Sequence, residues 1–163
     1  MLVAVLLYAA CPGVAVAGGT TAKPAAAAAP QLAVPEPRAL IVMIRSTLMA
    51  LHHANLTGNY TVLHDLASET FQHAHTAAQI GQAFAPMIQQ GLDLSQSALL
   101  TPQLTQTPAI DGIGLLQLTG FFASVPKQIH FQIAYQPSPR GWRLFALAVT
   151  PVQQPQARPH GEK

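Results

Sequence analysis

The segment from residue 127 to residue 149 constrains the fold of this chain more than any other. Along it, four apolar side chains alternate with four polar ones: Ile129, Phe131, Ile133 and Tyr135 against Gln128, His130, Gln132 and Gln136. Because successive side chains of a β-strand point to opposite faces, this alternation predicts a strand with one buried and one wet face. A turn-forming sequence at 137–141 and an apolar run at 142–149 predict the returning strand of a β-hairpin with a five-residue loop.

The upstream part of the chain predicts helices that would cover the apolar face of this hairpin. Residues 38–55 show the three- and four-residue spacing of one helix face, at Leu40, Ile44, Leu48 and Leu51. A short second helix is expected after Asn59, which can cap it. Its apolar face would be formed by Tyr60, Leu63 and Leu66.

A third helix is predicted from Thr76 and Gln79, which have the spacing of a capping box. It should end at Gly91. Pro86 inside it lacks a backbone donor and therefore predicts a kink or an early end. The residues expected to be buried on this helix are Ala77, Ile80, Phe84 and Ile88.

Downstream, the apolar pattern changes to that of strands. Residues 98–105 are interrupted by Pro102, which suits an edge strand, whereas residues 115–122 are almost continuously apolar, which suits a more central one. Three helices followed by about four antiparallel strands define an α+β domain. We expect this domain to span residues 38–151, followed by a disordered tail at 152–163.

Charge is scarce along the whole chain. Only 9% of the residues are charged, against about 25% in typical soluble domains. The eight basic residues exceed the six acidic ones by two and form no cluster. Because nucleic-acid binding needs a concentrated basic surface, no nucleic-acid partner is expected.

The N-terminal segment predicts export. A short apolar run at 2–10 is followed by Ala15-Val16-Ala17, the small-x-small pattern of a signal-peptide cleavage site. The run is shorter than the roughly 20 residues that a membrane span needs. We therefore expect a signal peptide at 1–17, an Ala/Pro-rich linker at 18–37 that cannot form a core, and a periplasmic or secreted mature protein.

Cys11 supports an alternative to free export. Residues 8–11 resemble a bacterial lipobox, with Tyr8 where leucine is usual. In that case Cys11 would carry a lipid, the linker would hold the domain away from the bilayer, and the protein would be lipid-anchored. Membrane contact is expected only under this alternative.

Two segments carry a family resemblance. Residues 141–147 (Gly-Trp-Arg-Leu-Phe-Ala-Leu) resemble the closing strand of nuclear transport factor 2-like proteins, and residues 58–67 resemble their second helix. This superfamily includes ketosteroid isomerase. The resemblance implies a curved sheet wrapped around a long helix, a conical pocket and frequent dimerisation through the sheet face. The candidate pocket residues are Tyr60, Asp65, Phe84, Phe122 and Trp142, although such aromatic residues usually pack in a core.

The acidic residues do not assemble an isomerase motif. Ketosteroid isomerase needs a carboxylate base with oxyanion donors in an apolar cavity. The domain offers only Asp65, Glu69, Asp93 and Asp111. Asp111 is expected in a turn, so an isomerase or hydratase, the alternative to a non-enzymatic protein, would use Asp65 or Asp93 as its base. We expect no catalytic residues and no cofactor.

A histidine-rich stretch supports a second alternative. In an extended segment, His73 and His75 would share one face, and with His64 or Asp65 nearby they could bind zinc or copper. Polar surface is the simpler interpretation of these histidines, since no HExxH motif is present. The sequence therefore favours an exported, non-enzymatic domain that binds a partner protein or a small apolar ligand.

Overall fold

The computed structural model describes residues 33–153. The predicted signal peptide, Cys11, most of the linker and residues 154–163 lie outside this range. Four α-helices come first: α1 (Pro37–Thr57), α2 (Thr61–Leu66), α3 (Glu69–Ala74) and α4 (Ala77–Gln89). A 3₁₀ turn (Ser95–Ala98) leads to five strands: β1 (Gln103–Leu104), β2 (Ala109–Ile110), β3 (Leu116–Phe122), β4 (Lys127–Ser138) and β5 (Gly141–Gln153).

The strands form one curved, open antiparallel sheet, which confirms the predicted α+β class. Its order is β1-β3-β4-β5, and β2 pairs with the same edge of β3 as β1 does. Strands β3 and β4 are therefore the central ones. As predicted, the segment around 115–122 forms one of them, and the segment broken by Pro102 contributes only the two-residue β1 at the edge.

The hairpin that the sequence predicted is present, but its loop is shorter than expected. Pairing between β4 and β5 continues to Ser138 opposite Gly141, which leaves Pro139 and Arg140 as a two-residue connection. Pro137 stays in the strand opposite Trp142. Gly141 has φ +101°, a conformation that is favourable only for glycine. Its backbone therefore lets the chain reverse within two residues, which a five-residue loop would not have required.

The apolar stripe of α1 packs against the inner face of the sheet. The four predicted residues of the stripe are at most 4% exposed, as are the alternating apolar residues of β4: Leu40, Ile44, Leu48, Leu51, Ile129, Phe131, Ile133 and Tyr135. They belong to one core cluster. By length and composition alone α1 could also cross a membrane, but a core helix of a soluble domain meets the same test, and this one is packed on the sheet.

Helix α4 begins at the predicted capping box. The Thr76 side chain accepts a hydrogen bond from the backbone N–H of Gln79, whose side chain accepts one from the backbone N–H of Thr76. Pro86 lies within the helix, which ends three residues later at Gln89. The prediction that Ile88 is buried is wrong, because its side chain is 45% exposed. Met87, three residues after the buried Phe84, points into the core instead.

Helix α3 was not predicted, so the domain has four helices where the sequence suggested three. It is capped by Ser68, whose hydroxyl accepts a hydrogen bond from the backbone N–H of Phe71. Phe71 is buried against the core. A helix of six residues presents little more than one inward side chain, so it leaves no periodic pattern in the sequence.

The outer face of the sheet is not uniformly polar. Leu115, Ala134, Phe145 and Ala146 form a second apolar cluster, separate from the main core. Ala134 interrupts the polar face of β4, and the register between β4 and β5 shifts beside it, between Ala134 and Tyr135. A shift of this kind re-aims neighbouring side chains. The expectation of one wet face therefore holds for Gln132, which is exposed, but not for the whole face.

Candidate functional site

The candidate site is a small cleft between α1, α2 and the tip of the β4–β5 hairpin, which we call the apolar cleft. It has a volume of about 190 Å³. Side chains from α1, α2, β4 and β5 line it: Val42, Met43, Ser46, Thr47, Leu63, Leu66, Tyr135, Trp142 and Leu144. The α1 residues lie on two successive turns beside its buried stripe, α2 contributes Leu63 and Leu66, and the hairpin closes the opposite wall.

A hydrogen-bonded pair of hydroxyl groups lies at the sheet side of the apolar cleft. The Tyr135 hydroxyl lies 2.9 Å from the carbonyl oxygen of Met43 and 2.8 Å from the Thr47 hydroxyl. Since a carbonyl can only accept, the single phenolic proton goes to Met43, and Thr47 donates to Tyr135. Both polar groups are thus satisfied inside the protein, and Tyr135 has no proton left to donate to a ligand.

Burial keeps this phenol neutral. Desolvation raises the pKa of Tyr135 far above its ordinary value, and the hydrogen bond with Thr47 offsets only part of that rise. No carboxylate, histidine, lysine or arginine is among the residues that line the apolar cleft. The cleft can therefore accept an apolar group, but it offers no side chain that could exchange protons near neutral pH.

The five predicted pocket residues are dispersed. Trp142 lines the apolar cleft. The Tyr60 hydroxyl donates to Asn55 Oδ1 at 2.7 Å, and Tyr60 lines a different depression. Phe84 and Phe122 are fully buried in the core. The remaining residue, Asp65, has a side chain that is 68% exposed.

Half of the lining residues that the sequence did not identify come from α1, and the others come from α2, β4 and β5. Val42 and Met43 flank the buried stripe of α1, where they read as ordinary boundary residues. Thr47 and Tyr135 are 88 positions apart, so no local pattern joins them. One signal in the sequence could have indicated this pair. A Thr on the apolar side of a helix is buried, so its hydroxyl group needs a buried hydrogen-bond partner.

The second candidate base, Asp93, caps a turn. Its carboxylate accepts hydrogen bonds from the backbone N–H of Ser95 at 2.8 Å and from the Ser95 hydroxyl at 2.7 Å. The bonds from Ser95 hold the pKa of Asp93 below its ordinary value, with a smaller contribution from His52. A catalytic base near neutral pH needs the opposite shift.

Asp111 is held in its turn, as the sequence predicted. Burial acts to raise its pKa, but hydrogen bonds outweigh that effect and lower it. The donors are the Gln117 side chain and the backbone N–H groups of Leu115, Ile113 and Gly114. Its carboxylate therefore organises the β2–β3 connection and faces no cleft described above.

The histidines are placed differently from the expected extended segment. His73 lies in the last turn of α3 and His75 follows it, so the two do not share a strand face. His64 Nδ1 lies 3.0 Å from Asp65 Oδ1, whereas the His75 ring packs on Phe71 with centroids 4.9 Å apart. Within residues 33–153, no group of three or more His, Cys, Asp or Glu side chains is arranged to hold a metal ion.

Comparisons of the chain with protein-family models, with curated proteins and with solved structures found no match. The fold defines the class of the protein only as an α+β domain with helices on one face of an open antiparallel sheet. Its resemblance to nuclear transport factor 2-like proteins rests on the two sequence segments and on element order, and it stays a prediction.

Proposed function

We propose that this protein is an exported, non-enzymatic domain of the nuclear transport factor 2-like kind that binds an apolar group in the apolar cleft. The observation that carries the proposal is the exposure of apolar side chains at a concave site. Val42 is 65% exposed and Leu66 is 44% exposed, and both border the cleft that Trp142 closes from the hairpin. Binding sites are typically concave and mostly apolar, with few polar groups.

The size of the cleft limits what it can hold. Its volume of about 190 Å³ is below the roughly 300–1,000 Å³ of drug-sized pockets. It is close to the volume of about 150 Å³ that accommodates benzene in an engineered protein cavity. The occupant is therefore a small apolar ligand or a single apolar anchor side chain of a partner protein.

The test is binding of a small, neutral, fluorescent apolar probe, such as naphthalene, to the full chain. Val42→Gln removes apolar surface at the rim of the cleft, and Leu56→Gln is the matched control. Both residues lie on α1 and are largely exposed, at 65% and 71%, but only Val42 lines the cleft. We expect Val42→Gln to weaken probe binding several-fold and Leu56→Gln to leave it unchanged. Equal effects of the two changes would refute the proposal.

The isomerase or hydratase alternative would need a carboxylate within reach of the ligand. No carboxylate lines the apolar cleft, and the side chains of Asp65 and Asp93 are 68% and 59% exposed. The metal-handling alternative would need His64, His73 and His75 to converge. No observation in the described residues favours either alternative over apolar binding.

We also propose that the outer sheet face mediates a homodimer. The support is the resemblance to nuclear transport factor 2-like proteins, which implies dimerisation through the sheet face; the apolar residues of this face, Leu115, Ala134 and Ala146, are already buried within the chain. Sedimentation equilibrium tests this: an arginine at the exposed Gln132 on the same face should weaken association. A monomer at all concentrations, or a dimer unaffected by Gln132→Arg, would contradict it.

Export is the remaining part of the proposal, and its support is the cleavage pattern at residues 15–17. Intact-mass analysis of the exported protein should show a chain beginning at Gly18. A lipid on Cys11 would instead establish the anchored alternative, and a retained N-terminus would refute export by this signal.

A further inference from the structure

A second cleft lies at the tip of the hairpin, on the other side of β5 from the apolar cleft. We call it the polar cleft. It has a volume of about 390 Å³ and lies between the start of α3 and the β4–β5 turn. The side chains that matter for its chemistry are Glu69, Thr70, Gln136, Ser138, Arg140 and Arg143. We propose that the polar cleft binds a small organic anion through its two arginines.

Arg143 is held in place by the end of α2. Its Nη2 donates a hydrogen bond to the backbone oxygen of Asp65 at 3.1 Å. This is the only hydrogen bond of its side chain within residues 33–153, so most of its five N–H donors remain available. The contact fixes the guanidinium at the wall of the polar cleft. It therefore reduces the conformational entropy that a ligand would otherwise lose by ordering this side chain.

Arg140 is placed by the two-residue turn of the hairpin. Its backbone N–H donates to the Ser138 hydroxyl, which itself donates to the carbonyl oxygen of Gly141 at 2.7 Å. The turn holds the backbone of Arg140 three residues from Arg143 on the same wall. In the described part of the chain, the Arg140 side chain makes no hydrogen bond of its own.

Neither arginine forms an ion pair with a carboxylate within residues 33–153. The two ion pairs found within residues 33–153 both involve histidine, and neither includes an arginine. Two arginines that line one cavity without an ion-pair partner outnumber its single carboxylate, Glu69, and favour an anion, since each guanidinium can bind a carboxylate or phosphate through two parallel hydrogen bonds. The volume exceeds what inorganic phosphate needs and falls in the range of small-molecule sites.

Glu69 lies on the facing wall of the polar cleft and provides a useful control. Its carboxylate repels an anion and attracts an ammonium group, so it distinguishes an anion site from a site for cations. For the proposed ligand class, Glu69→Gln should strengthen binding, whereas a cation site would be weakened by the same change.

The experiment is an NMR titration of the full chain labelled with nitrogen-15, with inorganic phosphate and with succinate as separate probes. Sodium chloride at matched ionic strength is the blank. We expect the Nε–H signals of Arg140 and Arg143 to shift and saturate with at least one probe. The probe that saturates at the lower concentration identifies phosphate or carboxylate as the preferred anion. Shifts that follow ionic strength alone for both probes would overturn the proposal.

The variants separate binding from folding. Arg143→Gln loses the bond to Asp65, so Arg140→Gln, which breaks no side-chain hydrogen bond, is the decisive change. Each should weaken binding by about tenfold, while Arg38→Gln, an exposed arginine on α1 outside the polar cleft, should not. If Arg38→Gln weakens binding as much as Arg140→Gln, or if Glu69→Gln weakens it, the site is not the one proposed.

Discussion

Replacing Phe131 with alanine should cost a large fraction of a typical domain's stability, and the same change at the neighbouring Gln132 should cost almost nothing. Phe131 is 1% exposed, and its ring centroid lies 5.6 Å from that of Phe122. Its ring tip also lies against Gly120, where an added Cβ would lie 2.8 Å from it. Gln132 points to the outer face and is exposed.

The magnitude follows from burial and packing. Removing a buried Phe side chain loses its transfer free energy, about 1.5–3 kcal/mol, together with the cost of the cavity that remains. The sum for Phe131→Ala is about 3–5 kcal/mol, against a total of about 5–15 kcal/mol for a domain. For Gln132→Ala we expect a change within about 0.5 kcal/mol.

The assay is equilibrium unfolding in urea, followed by the fluorescence of Trp142, the single tryptophan, and by circular dichroism. With a urea dependence of about 2 kcal/mol per M, Phe131→Ala should lower the midpoint by about 2 M and Gln132→Ala by less than about 0.3 M. Equal shifts at the two positions would refute the assignment of faces. They would mean that the outer face of the sheet is covered as fully as the inner one.

Three further predictions concern close packing and pH. Gly120→Ala should cost about 1–3 kcal/mol in urea unfolding, because its Cβ would collide with the backbone of β1 and the Phe131 ring, whereas Gly112→Ala, with nothing within 4 Å, should cost little. The pKa of Tyr135 is raised in the folded state, so its contribution to stability is complete below its unfolded pKa of about 10 and is lost as the pH rises further. Tyr135→Phe should therefore flatten the alkaline loss of stability, and an unchanged slope would contradict this. The pKa of Asp111 is lowered in the folded state, so its effect on stability has the opposite pH dependence. Its contribution is present above an ordinary pKa of about 4 and is lost as the pH falls, so Asp111→Asn should flatten the loss of stability at acid pH.

The sequence predicted the parts of the fold that rest on repeated burial. The inner residues of β4 and the stripe of α1 were predicted because each repeats its period over several residues and each face is buried throughout. The loop length was wrong because Pro137 and Ser138 are turn formers by composition but remain paired in the hairpin. Helix α3 was missed because its single buried residue, Phe71, leaves no period to detect.

The site was much less predictable than the fold. Its residues come together only when α1 packs on the sheet, which brings Met43 and Tyr135 into contact across 92 positions. The pocket residues were predicted from their side-chain chemistry, but they differ in burial in the structure. Phe84 and Phe122 lie in the core, as aromatic residues on apolar faces usually do. Of the predicted residues, Trp142, at the end of the hairpin, is the one that lines the apolar cleft.

The hairpin tip connects the two clefts and also keeps them separate. Trp142 and Arg143 are consecutive on β5 and therefore point to opposite sides of the strand, one to the apolar cleft and one to the polar cleft. A substitution at either position thus changes one lining and leaves the other side chain in place. Their shared support is the two-residue turn closed by Gly141. Loss of apolar binding and anion binding together would therefore indicate a disturbed hairpin, whereas loss of one alone would assign that binding to its own cleft.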